Sequence, residues 1–271
     1  MSIEMNRRDL FKKASAVAAA GFTAGMTFEA KADALEHAMI GELNYKVPEP
    51  PAFCDVNWPK PVPDFEAMAR DTRPNLMHKD PRLPEMPGRP TLIDFFKLRW
   101  APSLHVLQSA NIALEKNMEE KVIIACLLHD IAVGGLIRTD HGYWAAQLLG
   151  PYVDEEVSWA IRAHQILRFF PDESVGYEYP EAYIRYFGED YEPPRYIVDA
   201  YEKARNHKWY MTARLITLND LYSFEPGVEP DIDQFEDIIG RNFRQPREGL
   251  GFDQSAVAHM WRSMIWPNNF L

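Results

Sequence analysis

The sequence predicts an all-α protein, on two observations. Residues 122–133 form an apolar run with no polar face, as expected of a helix that is buried on all sides. Much of the chain after residue 91 shows apolar residues at helical spacing, and no stretch alternates with a period of two for long enough to indicate a sheet. We therefore expect a helical bundle organised around residues 122–133.

The helix boundaries follow from capping residues and helix breakers. Serine and aspartate favour the position before a helix because their side chains accept a free backbone N–H, and Ser103, Asp140 and Asp154 stand at such positions. Gly134 and Gly135 are expected to end the central helix in a left-handed turn. The predicted helices span 33–43, 91–100, 103–117, 119–133, 141–149, 155–170, 195–224, 231–243 and 253–265, and 171–194 is predicted to be irregular.

The first 32 residues resemble a twin-arginine export signal. The paired arginines of that motif lie within residues 6–12, and the weakly apolar segment 14–26 is too short to span a bilayer. Residues 30–32, Ala-Lys-Ala, offer a cleavage site. We therefore predict export by the twin-arginine translocase to a periplasmic or secreted location, without stable insertion in the membrane.

Residues 33–90 form the second region, a proline-rich arm. Eleven of the 21 prolines lie between residues 45 and 90, and this density excludes helix and central strand. Interspersed apolar residues such as Phe53 and Trp58 predict an ordered arm packed across the domain, with a disordered spacer as the alternative. The third region, residues 91–271, is the predicted helical domain.

The composition of the chain limits the kinds of molecule that the protein is expected to bind. The net charge of −11 argues against binding to nucleic acid. A hydrophobic content of 46% over 271 residues is enough to bury one large core. Only two cysteines occur, Cys54 and Cys126, which indicates thiols and not a disulfide framework.

The pair His129-Asp130 lies inside the central apolar run. Burying an ionised carboxylate costs several kcal/mol unless it is paired or bound to a metal. Adjacent helical residues point about 100° apart, so the two side chains can approach a bound cation from two sides. We expect a cation between them; a buried pair satisfied by backbone and an arginine is the alternative.

Four of the eight histidines fall at the starts or inner turns of four consecutive predicted helices. With two aspartates they supply six ligands, which are too many for one tetrahedral zinc ion. Asp130 could bridge two ions so that both share the set, and we also assign the catalytic role to it. His141 could instead face solvent from the start of its helix. The predicted ligands are His105, His129, Asp130, His141, His164 and Asp220.

This order of ligands resembles the metal site of the HD-domain superfamily. The core of that site is a His, then a His-Asp doublet, then a distant Asp, all on helices around one or two metals. His105, residues 127–132 (Leu-Leu-His-Asp-Ile-Ala) and residues 218–220 (Leu-Asn-Asp) match these three elements. The resemblance covers roughly residues 91–224, and it implies an HD-type helical bundle that serves as a metal-dependent enzyme.

The two extra histidines are similar to those of dinuclear members, which are phosphoester hydrolases or mixed-valent diiron oxygenases of the myo-inositol oxygenase and phosphonate-cleaving type. Because phosphohydrolases dominate the superfamily, we predict hydrolysis of a small phosphorylated substrate with two divalent ions of iron, manganese or zinc. The 56-residue gap from His164 to Asp220 resembles the oxygenases instead, for which iron is favoured. A non-catalytic periplasmic metal-binding protein is the third possibility.

Three basic residues are candidates for binding the substrate. Arg168 follows His164 by four residues and so shares its helical face. Phosphonate-cleaving members carry a basic residue there that binds the anion, so the resemblance implies an anionic small molecule at Arg168; a surface ion pair is the alternative. Lys208 and Arg214, before Asp220, are weaker candidates.

The chain departs from the family pattern in several places. Hydrolases with the extra histidines often have Gly and Lys after the doublet, where Ala132 and Val133 stand here. Phosphonate-cleaving members tend to have a His where Val133 stands. The eleven-residue spacing from Asp130 to His141 is shorter than in either group. A third branch, similar to cyanamide hydratases, keeps one zinc ion and fewer ligands, and the two spare histidines argue against it.

Overall fold

Helices dominate the part of the chain that the structure, a computed structural model, describes: residues 87, 90–98, 100, 103–134 and 140–244. No β-strand occurs among these residues, so the all-α prediction is confirmed. The predicted signal peptide, nearly all of the proline-rich arm and the predicted helix 253–265 lie outside them.

Ten α-helices lie within the described ranges, together with two 3-10 turns, Glu173–Val175 and Ile232–Phe235. None of these helices is both long and apolar enough to cross a membrane. The helices are α1 (Leu92–Leu98), α2 (Leu104–Glu115), α3 (Glu120–Leu128), α4 (Ile131–Gly134), α5 (His141–Leu149), α6 (Glu155–Leu167), α7 (Glu181–Phe187), α8 (Arg195–Arg205), α9 (Tyr210–Leu221) and α10 (Glu236–Asn242).

Helix α3 is the centre of the bundle. Every residue from 122 to 128 is buried, and α2, α6, α9 and α10 all pack against this helix. Each fully buried Leu or Ile side chain contributes roughly 1.5–3 kcal/mol relative to an exposed one. The prediction that this run is buried on all sides is confirmed.

The prediction of one continuous central helix over 119–133 is wrong. Helix α3 ends at Leu128, and His129 and Asp130 form a turn before the short helix α4. The ring Nδ1 of His129 donates to the carbonyl oxygen of Cys126 at 2.8 Å. That carbonyl is among the last four of α3, which have no intrahelical partner, so the His129 side chain completes the helix end.

Two other predicted segments differ from the structure. The irregular stretch 171–194 contains α7, and the single helix predicted over 195–224 is divided into α8 and α9. Pro180 and Pro194 stand immediately before α7 and α8, where the missing N–H of proline removes no helical hydrogen bond.

The three predicted capping residues all precede helices, but only one caps through its side chain. Asp154 Oδ1 accepts from the backbone N–H of Glu156 at 2.8 Å, as predicted. Ser103 and Asp140 make no such bond to their helices, and Asp140 takes a left-handed backbone conformation with φ of 55°.

Candidate metal centre

The structure brings the six predicted ligands together in one buried cluster, which we call the metal centre. None of the six is more than 7% exposed. They come from different elements: His105 from α2, His129 and Asp130 from the α3–α4 junction, His141 from the start of α5, His164 from the end of α6 and Asp220 from the end of α9.

One half of the metal centre is formed by two imidazoles and two carboxylates. His105 Nε2 lies 2.8 Å from Asp220 Oδ1 and 3.9 Å from Asp130 Oδ2. His129 Nε2 lies 3.5 Å from Asp220 Oδ1 and 3.6 Å from Asp130 Oδ1. Both ring nitrogens therefore face both acids.

The other half is richer in imidazole. His141 Nε2 lies 3.2 Å from Asp130 Oδ1 and 3.2 Å from His164 Nε2. Asp130 thus stands between the two halves. Three sets of three side chains have ligand atoms within 4.8 Å of one another: His105, His129 and Asp130; His129, His164 and Asp220; Asp130, His141 and His164.

Backbone carbonyls orient three of the four rings. Each of these rings uses Nδ1 to donate to a carbonyl oxygen, which directs Nε2 at the metal centre. The carbonyls belong to Ser223 for His105, to Cys126 for His129 and to Ile161 for His164.

His141 is held differently, by a side chain that sequence reasoning missed. Gln165 Oε1 accepts the N–H of Gly142 at 2.7 Å, so its amide nitrogen faces His141 Nδ1 at 3.1 Å. An amide donor at Nδ1 favours the imidazole tautomer with its proton on Nε2. A cation bound at His141 Nε2 would displace that proton.

Helices α5 and α6 approach each other closely at Gly142. A Cβ at this position would lie 2.8 Å from the Ile161 carbonyl oxygen and 3.1 Å from the His164 ring. Only glycine fits without a shift of the helices. The short distance between His141 and His164 therefore depends on the missing side chain.

Two side chains of α9 hold the carboxyl end of α6. Thr217 Oγ1 donates to the His164 carbonyl oxygen at 2.8 Å, and Arg214 Nη1 donates to the Leu167 carbonyl oxygen at 2.9 Å. These carbonyls lie in the last turn of the helix, where intrahelical donors are missing. The packing of α9 on α6 thus fixes the position of His164.

The charges in the metal centre shift the pKa values of its titratable groups in different directions. Burial alone would lower the pKa of His129, but Asp130 and Asp220 raise this pKa to about 9. Burial would raise the pKa of both carboxyls, yet the charge of His129 keeps each below its usual range. Burial, with the charges of His129 and His141, lowers the pKa of His164 to about 3. Ionised carboxylates and neutral imidazoles are the forms that bind metal ions, so a metal ion bound at His129 would displace the Nε2 proton that the two carboxylates stabilise.

The residues present fit a metal ion. His129 Nε2 is buried and has no hydrogen-bond partner among the described residues. Leaving such a nitrogen unsatisfied costs about 1–3 kcal/mol, which a bound cation would offset. Imidazole and carboxylate donors suit zinc, manganese and iron. The metal centre therefore has the side chains needed to hold a metal ion.

Arg168 is buried at the end of α6, one turn beyond His164. It is 1% exposed, which excludes the surface ion pair that the sequence left open. Its guanidinium carbon lies 5.2 Å from the centre of the Phe169 ring. Tyr177 donates its hydroxyl to the Arg168 carbonyl oxygen at 2.7 Å, which fixes the backbone there.

The structure does not bring the weaker basic candidates to the metal centre. Lys208 is exposed, with its ammonium 4.0 Å from the centre of the Trp209 ring, and it precedes α9 while Asp220 lies near the other end. Twelve helical residues span about 18 Å, so Lys208 is too distant to bind a substrate there. Arg214 is buried, but its guanidinium contacts the Leu167 carbonyl and Asp172 instead.

No protein-family model matches the chain, and neither a curated protein nor a solved structure matches it. Membership of the HD-domain superfamily therefore stays a prediction from the ligand pattern.

Proposed function

We propose that the metal centre serves a metal-dependent enzyme of the HD type, which hydrolyses a small phosphorylated substrate. The position of Asp130 carries this proposal. Its carboxylate oxygens lie 3.9 Å from His105 Nε2 and 3.6 Å from His129 Nε2 on one side, and 3.2 Å from His141 Nε2 on the other. A carboxylate between two sets of imidazoles is suited to be shared by two ions.

The roles of the residues follow from their positions. Bound divalent ions would supply Lewis acidity that activates water and polarises a phosphoryl group. Arg168 would bind the outer oxygens of the substrate through its planar fork of N–H donors. His105, His129 and Asp220 would hold one ion, His141 and His164 would hold the other, and Asp130 would serve both.

A second candidate reaction, oxygenation at a diiron centre, is favoured by the surroundings of the metal centre. The segment between His164 and Asp220 contributes aromatic side chains such as Tyr177 and Tyr183, which pack together with Phe224. Phe224 in turn stacks on His105, with ring centres 4.4 Å apart. Apolar surroundings that exclude water suit chemistry in which water is a competitor, and the imidazole-rich donor set also suits iron.

Elemental analysis of protein purified from its native compartment tests the proposal. We expect two equivalents of divalent metal per chain, together with manganese- or cobalt-dependent turnover of phosphate esters. Iron with a mixed-valent electron-resonance signal and no phosphatase turnover would transfer the assignment to the oxygenase. Protein isolated without any bound metal would contradict both reactions.

Replacing Arg168 with alanine should weaken binding of the phosphorylated substrate by roughly 2–4 kcal/mol, because a desolvated charge pair is lost. Arg168→Lys should recover only part of this loss, since a point charge replaces a bidentate fork. The measurement is the substrate dissociation constant, with metal content determined on the same samples. Unchanged affinity, or loss of metal in Arg168→Ala, would assign Arg168 a structural role.

A further inference from the structure

A group of packed aromatic side chains lies beside the metal centre, and we call it the aromatic cluster. Its contact with the metal centre is the stacking of Phe224 on His105, at 4.4 Å and an interplanar angle of 19°. The rings in it come from α7, from the chain on either side of α7 and from the chain after α9: Phe169, Tyr177, Tyr179, Tyr183, Phe187, Tyr191 and Phe224.

The hydroxyl of Tyr179 is a buried polar group in the aromatic cluster. Its oxygen is buried and has no hydrogen-bond partner within the described ranges, although the residue as a whole is partly exposed. The ring packs edge-on against Tyr183, with centres 5.8 Å apart. The polar end of Tyr179 therefore faces the interior, where an unsatisfied hydroxyl is unfavourable compared with the hydrogen of a phenylalanine.

Neighbouring tyrosines show that the fold can satisfy such hydroxyls. Tyr177 donates to the Arg168 carbonyl oxygen at 2.7 Å, and Tyr210 donates to Asp172 Oδ2 at 2.6 Å. Tyr179 has no comparable acceptor in the described part of the protein. The Tyr179 hydroxyl therefore does not serve to stabilise the fold through a hydrogen bond, and it is suited to bind a ligand.

A buried positive charge lies against the same aromatic cluster. Burial and the neighbouring Tyr191 raise the pKa of Tyr179, and the guanidinium of Arg168 opposes this rise. Arg168 is itself 1% exposed and shares the helical face of His164. The Arg168 guanidinium carbon lies 5.2 Å from the centre of the Phe169 ring. The Phe169 and Tyr179 rings both pack on Tyr183, with centres 6.1 Å and 5.8 Å apart. The phenol donor and the buried guanidinium thus lie against the same aromatic cluster.

We propose that Tyr179 and Arg168 form a subsite for the oxyanion of the substrate, in which both donate to one phosphoryl or phosphonyl group. The body of the substrate then lies against the rings of the aromatic cluster, toward His105. Rings around the subsite favour a small substrate with an apolar or ring-containing body. This inference rests on the proposed function, because it assigns the substrate class of that same centre.

Isothermal titration of the full-length, metal-loaded protein with inorganic phosphate tests the subsite. Tyr179→Phe should weaken phosphate binding on the order of tenfold to a hundredfold, the range for a hydrogen bond to a charged group. The ligand-free variant should unfold at the same or a higher temperature than the unchanged protein, since a buried unpartnered hydroxyl is removed. A hydroxyl with a purely structural role would show a lower unfolding temperature.

Tyr143→Phe is the matched control, because Tyr143 is exposed on α5 and should change neither phosphate affinity nor unfolding temperature. Unchanged phosphate affinity in Tyr179→Phe would overturn the subsite. Tighter binding of acetate than of phosphate would overturn the phosphoryl or phosphonyl assignment. Metal content, measured on every sample, separates these outcomes from failure of the metal centre itself.

Discussion

Replacing Asp130 with asparagine should abolish metal binding in both halves of the metal centre. The substitution keeps the shape of the side chain but removes the carboxylate that faces His105, His129 and His141. Even groups outside the ligand shell typically change metal affinity by about 10–100-fold, so loss of a shared ligand should exceed about 100-fold. Elemental analysis after dialysis against a weak chelator measures this directly.

Two further variants are compared with Asp130→Asn in the same measurement. Asp154→Asn removes a carboxylate that caps α6 far along the helix from His164, and it should retain full metal content. His164→Ala should lose the ion of the imidazole-rich half and retain the one held with Asp220. Full metal content in Asp130→Asn would show that Asp130 is not a ligand, and the two-ion proposal would fail.

Arg214→Met should lower the free energy of unfolding by about 3 kcal/mol, the lower end of the range for removing one partner of a buried ion pair. Arg214 is fully buried, and its Nε lies 3.6 Å from Asp172 Oδ2. Methionine fills similar space but leaves the Leu167 carbonyl without its donor. Ser174 and Tyr210 still donate to Asp172, which is why the loss should not be larger.

Urea denaturation followed by circular dichroism measures the change. Arg162→Met is the matched control, since Arg162 is exposed and should change the free energy of unfolding by less than about 0.5 kcal/mol. Metal affinity should also fall in Arg214→Met, because the end of α6 that carries His164 loses its attachment to α9. Equal stability of the two variants would show that the contacts of Arg214 do not hold α6.

The helical class is predictable from the sequence because hydrophobic periodicity is a local feature. The meeting of the six side chains is predicted by their order along the chain, which resembles the metal site of a known superfamily. The apolar run predicts burial of α3, and ligand-type residues recur on the turns of consecutive helices. The break at His129 was not predictable, since hydrophobic periodicity continues through it and the side-chain bond to Cys126 is invisible in the sequence.

Other features of the structure depend on contacts between distant segments and were not predicted for that reason. Gln165 and Tyr179 acquire their roles only when α6 meets α5 and the aromatic cluster, so no spacing in the sequence indicates them. Lys208 is a weaker candidate in the sequence because it lies well before Asp220, and in the structure the length of α9 separates the two. Pro180 is the signal for α7 in the sequence, because proline favours the start of a helix.

Because α5 and α6 approach closely at Gly142, the packing of these two helices sets the distance between His141 and His164. The same interface includes the hydrogen bond from Ser158 Oγ to the Ala146 carbonyl oxygen, at 3.2 Å. A change in helix packing there would widen or narrow the gap between His141 and His164 without altering either. Selectivity among ions of different radius could therefore be adjusted by mutating residues of the α5–α6 interface that lie outside the metal centre.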